Sequence, residues 1–62
     1  MNKLGVEVFK KEVNVGDELS VSTREYSYHG TVLEINDDSF VIDEGIMSFD
    51  VYYAHVWVYC KL

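Results

Sequence analysis

Residues 51–60 read Val-Tyr-Tyr-Ala-His-Val-Trp-Val-Tyr-Cys, and every position except His55 is apolar or aromatic. Strands of a small barrel alternate between core and solvent; this stretch does not. It divides into the end of one strand, near Tyr53, a short corner at Ala54-His55, and a further strand over Val56–Lys61. In the last strand Val56 and Val58 are expected to fill the core, which turns Trp57 and Tyr59 outward. Val51, Tyr52 and Tyr53 give the preceding strand the same surplus. Apolar groups on both faces of adjoining strands predict a buried interface. The expected interface residues are Val51, Tyr52, Trp57 and Tyr59, and the expected partner is a second copy of the chain. A fourth strand pairing with a neighbour's fifth is a heterologous contact, which closes into a ring if the rotation permits. The competing reading is that Tyr and Trp cover a small core while keeping a polar tip in water.

The size of the chain favours assembly. A single domain of 62 residues is marginal on its own core and is usually reinforced by disulfides, a metal or oligomerisation. Cys60 is the only cysteine, which excludes an internal disulfide and fits a reducing, cytoplasmic setting. His29, His55 and Cys60 lack the paired spacing of a zinc site, so no metal or other cofactor is expected. No apolar run approaches the ~20 residues that span a membrane, and MNKLGVEVFKK lacks a signal-peptide core with a cleavage site. The net charge of −6 excludes a broad basic surface for nucleic acid. Contact with nucleic acid would have to be local, through aromatic stacking and a few polar groups.

Period-two alternation and β-branched or aromatic residues dominate, which predicts an all-β fold. Residues 1–15 support two readings. Val6, Val8, Val13 and Val15 alternate as in an extended arm, whereas Leu4, Val8 and Lys11 fit a short helix; the arm with a turn at Gly16-Asp17 is the expectation. Strands are then expected over Glu18–Thr23, Tyr26–Ile35, Phe40–Asp43, Ile46–Tyr53 and Val56–Lys61. Arg24-Glu25 must turn without glycine, an unusual hairpin tip. Gly30, inside the second strand, predicts a bend or a close backbone approach. Asn36-Asp37-Asp38-Ser39 and Glu44-Gly45 are turns by composition. Five strands, of which the second is long and bent, describe a small, strongly bent SH3-like barrel.

These residues resemble the Sm-like family, which comprises the Sm, Lsm and Hfq proteins. The stretch GDELSVSTREYSYHGTVLEINDDSFVI, residues 16–42, is similar to the family's first motif: a hydrophobic strand, a hairpin, a glycine in the second strand (Gly30), apolar positions at Val32 and Ile35, and an acidic turn. Tyr53-Ala54-His55-Val56 resembles the Tyr-Lys-His-Ala segment of Hfq, with Ala54 in place of the lysine. Phe40 stands where Sm and Lsm proteins carry asparagine, and their second-motif Arg-Gly pair is absent. The resemblance implies a five-stranded barrel after an N-terminal helix, in homo-oligomeric rings of about five to seven copies closed through the fourth and fifth strands. It also implies single-stranded RNA as ligand, with Asn36, Asp38, Tyr53 and His55 as the contacts.

Read from the residues, His55 can donate, accept and stack, which suits an unpaired base, and Tyr53 can supply a stacking face. Tyr26 and Tyr28 share a strand face and form either a platform or solvent-side packing. Lys10-Lys11 are the natural phosphate contacts if RNA lies near the N-terminal segment. No catalytic residue is expected: the chain has no glycine-rich phosphate loop, nucleophile elbow or metal triad. A second function class stays open, an acidic SH3-like adaptor or structural ring that binds a basic protein partner instead of RNA.

Overall fold

A computed structural model describes all of residues 1–62. Helix α1 (Lys3–Glu12) precedes strands β1 (Glu18–Thr23), β2 (Ser27–Ile35), β3 (Ser39–Asp43) and β4 (Ser48–Tyr52); a 3₁₀ turn, η1 (Tyr53–His55), leads into β5 (Val56–Lys61). The strands form one antiparallel sheet in the order β4-β3-β2-β1-β5.

The N-terminal segment is a helix and not the extended arm that valine alternation suggested. Asn2 caps it, its side chain accepting from the Gly5 amide at 2.8 Å, and Lys10 and Lys11 sit in the last turn, where cations complement the helix dipole. The buried face is Val6, Phe9 and Val13, spaced at three and four residues. Val8 and Val15, which completed the apparent alternation, are exposed. The burial of Phe9 decides between the two periods.

The sheet cannot be flat. β4 and β5 are its two edges, yet only the three residues of η1 connect them. Edge strands of a flat five-stranded sheet lie about 19 Å apart at ~4.8 Å per strand, and three residues of 3₁₀ helix advance only about 6 Å. The sheet therefore curls, barrel-like, until its edges approach at η1.

Three local features permit the curl. First, β2 serves both limbs of the sheet: Ser27–Thr31 pair with β1, and Thr31–Ile35 pair with β3. Gly30 lies at this crossover. A Cβ there would run into the main-chain carbonyl of Asp43, with its carbon 2.7 Å away, so the end of β3 crosses where only hydrogen fits. Second, the β2–β3 register shifts between Val32 and Glu34, leaving Leu33 as an extra residue. Third, the β1–β5 register shifts at Ser22/Thr23, leaving Trp57 without a partner. Such bulges bend and twist a strand. Each also sets residues three apart against the core: Val32 with Ile35, and Val56 with Tyr59.

The second bulge changes the face expected for two residues of β5. Val56 is inward and Trp57 outward as expected, but Val58 is exposed, and Tyr59 turns in against the core. On β4, alternation puts Val51 into the chain's own core and Tyr52 outside.

The β1–β2 tip turns at Arg24-Glu25 without positive φ. The Thr23 hydroxyl holds it, donating to the Tyr26 carbonyl at 2.9 Å and accepting from the Tyr26 amide at 3.1 Å. Gly16 and Gly45, with φ of 96° and 98°, supply the left-handed positions of two other turns.

The core comprises Phe9, Val13, Leu19, Val21, Val32, Phe40, Ile42, Val51, Tyr53 and Val56. Phe9 is its hub, with ring centroids 4.8 Å from Phe40, 4.9 Å from Tyr59 and 5.4 Å from Tyr53. The helix thus plugs the curled sheet with one aromatic side chain.

Replacing Phe9 by Ala removes this plug, for which about 3–5 kcal/mol is expected. A domain of this size has only about 3–9 kcal/mol in total, so urea denaturation should find F9A largely unfolded. Gly30→Ala should lower stability by about 1–3 kcal/mol through forced displacement of β3, read as a lower denaturation midpoint at an unchanged slope.

Candidate functional site

The corner between β4 and β5 organises the surfaces around it. Tyr53 opens η1 with its ring buried between Phe9 and Phe40. Its hydroxyl donates to the Asn36 carbonyl at 2.8 Å, and its amide donates to the Asp38 carbonyl at 3.1 Å. The Met1 nitrogen donates to the carbonyls of Tyr53 at 2.8 Å and Val56 at 2.9 Å. Burial, and secondarily the negative charge of Asp37, pushes the Tyr53 phenol above its ordinary range. Tyr53 is therefore a neutral brace between the corner and the β2–β3 turn.

The four residues expected at RNA divide accordingly. Asn36, Asp38 and Tyr53 are brought together, but Tyr53 is 3% exposed and has no face on which a base could stack. It is corrected to a structural residue. Asn36 and Asp38 engage through their main-chain carbonyls, which leaves both side chains at the surface. Beside them Lys10 reaches Asp37 at 3.7 Å and lies 5.8 Å over the Tyr53 ring. His55 is exposed, on the far side of η1 in a different setting.

That setting is a cleft of about 610 Å³ between the β1–β2 hairpin and the β4–β5 corner. The hairpin contributes Arg24, Glu25, Tyr26 and Tyr28; β4 contributes Asp50 and Tyr52; His55 and Trp57 close the far side. Tyr26 and Tyr28 meet at a tilt of 51° with centroids 5.1 Å apart, and Tyr28 meets Phe49 at the same tilt and 5.3 Å. Tyr52 meets His55 edge-on at 5.9 Å. The sequence had separated these residues into a possible platform (Tyr26, Tyr28), an interface (Tyr52, Trp57) and a base-contacting histidine (His55). Their convergence was not legible, because it depends on the curl that brings the β1–β2 tip beside β4.

A second concavity, about 450 Å³, lies between α1 and β5 and is lined by Met1, Leu4, Val8, Trp57 and Val58 among others. It is mostly apolar and borders the open edge of β5. Of the four residues expected at an interface between copies, Tyr52 and Trp57 are exposed. Val51 is buried in the chain's own core, and Tyr59 packs on Phe9 with its hydroxyl 3.4 Å from a Glu12 carboxylate oxygen. Burial, then the Glu12 charge and that hydrogen bond, raises the Tyr59 phenol. Val51 and Tyr59 thus serve the fold, and Leu4, Val8 and Val58 are the exposed apolar residues that take their place beside Trp57.

The remaining polar structure ties α1 to the sheet. Lys61 donates to the Glu12 carbonyl at 3.0 Å and pairs with Asp17 at 3.3 Å. The Asn14 amide, and secondarily Lys61, holds the Asp17 carboxyl below its ordinary range. No group of three or more His, Cys, Asp and Glu side chains is placed to hold a metal ion. No helix is long and apolar enough to cross a membrane. No protein-family model, no curated protein and no solved structure matches the chain.

The brace is testable. Tyr53→Phe keeps the buried ring and deletes only the hydroxyl bond to the Asn36 carbonyl. Thermal unfolding should show a loss of about 1 kcal/mol; an unchanged midpoint would remove Tyr53 as the link between the corner and the turn.

Proposed function

We propose that this chain is an Sm-like protein with an SH3-like barrel, that it assembles into a homo-oligomeric ring, and that it binds single-stranded RNA at the pore or rim of that ring. The observation that carries the ring is the pair of open sheet edges. β4 and β5 each have a strand neighbour on one side only, and the β5 edge is flanked by exposed Trp57, Val58, Leu4 and Val8. Unpaired strand edges seek partners. A β4 edge meeting a neighbour's β5 edge would satisfy both and cover the apolar ledge, in a heterologous contact that can close. RNA would meet Asn36 and Asp38 on one side of η1, with Lys10 as the nearest cation to that turn, and His55 on the other. The protein performs no catalysis in this reading.

One observation favours a second reading, an acidic adaptor. The charge of −6 per chain accumulates with every copy and opposes phosphate, whereas it attracts a basic protein partner.

Native mass spectrometry and light scattering test the ring. A discrete species of about five to seven copies is expected, and Val58→Glu should dissociate it without unfolding the chain, because Val58 is already 60% exposed. A monomer at all concentrations would overturn the assembly. Titration with uridine and adenosine oligonucleotides tests the ligand: affinity should fall as salt rises and weaken in His55→Ala with the mass unchanged. No affinity even at low salt would leave the adaptor reading.

A further inference from the structure

The Met1 nitrogen makes the two hydrogen bonds of longest sequence range in the chain. It donates to the Tyr53 carbonyl at 2.8 Å and to the Val56 carbonyl at 2.9 Å, across 52 and 55 positions. Tyr53 opens η1 and Val56 begins β5. The Tyr53 carbonyl also accepts from the Val56 amide, so one nitrogen ties together both ends of the turn. The donor is a partly buried ammonium, and hydrogen bonds from a charged donor are about twice as strong as neutral ones.

The clamp holds the backbone under His55 and Trp57. Both side chains are exposed. His55 meets only the Tyr52 ring, edge-on at 5.9 Å, and Trp57 has no partner in the β1–β5 ladder. Neither can anchor its own main chain. The fixed points around them are the buried residues Tyr53 and Val56, whose carbonyls Met1 joins. The other polar ties between α1 and β5 lie at the far end of the helix, where Lys61 and Tyr59 reach Glu12. Asn2 caps the helix without touching the sheet. At the corner, α1 depends on a single nitrogen for its hydrogen bonds to the sheet.

We propose that the Met1 α-ammonium is a positioning group for His55 and Trp57, and that an acyl group on this nitrogen releases the corner. Acylation removes the positive charge and leaves one N–H for two carbonyls, so at least one acceptor loses its partner. An acyl thioester can supply the group: the N–C bond forms as the C–S bond breaks, and the ammonium gives up two protons, one to the departing thiolate and one to water. The Asn2 cap and the buried Phe9 are untouched, so the helix and core persist while η1 loosens. The inference rests on the proposed RNA site only in giving His55 a ligand to meet; the clamp is read without one.

Chemical synthesis supplies the chain with a free, an N-acetylated and an N-monomethylated Met1. The methyl form keeps the charge and two N–H groups, enough for both carbonyls. Amide hydrogen exchange followed by NMR reads the corner. Acetylation should speed exchange of the Val56 amide by about tenfold or more and shift the Trp57 indole and His55 imidazole resonances, while the β2 amides keep their rates. The methylated chain should behave as the free one. Lys61→Met, which frees the far end of α1, should leave the Val56 amide at its original rate. Unchanged Val56 exchange on acetylation would overturn the proposal. Equal acceleration in the methylated chain, in Lys61→Met or throughout β2 would also overturn it, because the loss would then be general and not that of the clamp. A uridine oligonucleotide separates the clamp from the site. Faster exchange with weaker binding by the acetylated chain upholds both; faster exchange with no affinity in any form upholds the clamp and removes the RNA site.

Discussion

Joining the two edges of one sheet through a three-residue turn is the constraint on which the rest of this structure depends. η1 is too short to span a flat sheet, so β4 and β5 can coexist only if the sheet curls. The unpartnered Leu33 and Trp57 are where the strands bend. Gly30 is where the crossing becomes tightest and a side chain is forbidden. A sheet of this size, once curled, still leaves one end open, and Phe9 fills it. Helix, bulges and glycine are thus answers to a single geometric demand.

Much of this was legible in the sequence. The strands, the acidic turn and the significance of Gly30 follow from alternation, turn chemistry and the absence of any other reason for a glycine inside a strand. Two features were not. The N-terminal valines mimic a strand because a period of two and a period of 3.6 overlap at several positions of a short segment; only the burial of Phe9 separates them. In β5, strict alternation fails after Val56 because Trp57 is an extra residue. A run with no polar positions carries no mark of where the register slips, so the inward set was displaced by one beyond that point. Tyr59 therefore exchanged places with Val58 and left the surface.

The candidate site shows the same limit. His55, Tyr52 and Trp57 stood out in the sequence because they interrupt or overload a strand, and they are indeed exposed together. Tyr53 stood out for the same reason and is buried, because the corner needs a ring to reach the core and a hydroxyl to reach the Asn36 carbonyl. Adjacent tyrosines in one dipeptide thus have opposite roles: Tyr52 faces the cleft and Tyr53 holds the wall behind it. Composition cannot divide them, but the alternation of β4 does, once its inward residues are known to be Phe49 and Val51.

The apolar ledge and the aromatic cleft meet at Trp57. Its side chain borders both the apolar ledge along β5 and the aromatic cleft beside η1, because the bulge leaves it outside the ladder. A neighbouring strand on β5 would fix the backbone on either side of the bulge and with it the angle of the indole. Were both surfaces occupied, they would be linked through this one residue, and any coupling would run equally in both directions. A chain of 62 residues thus sets two exposed concavities side by side on one curled sheet, with a single indole between them.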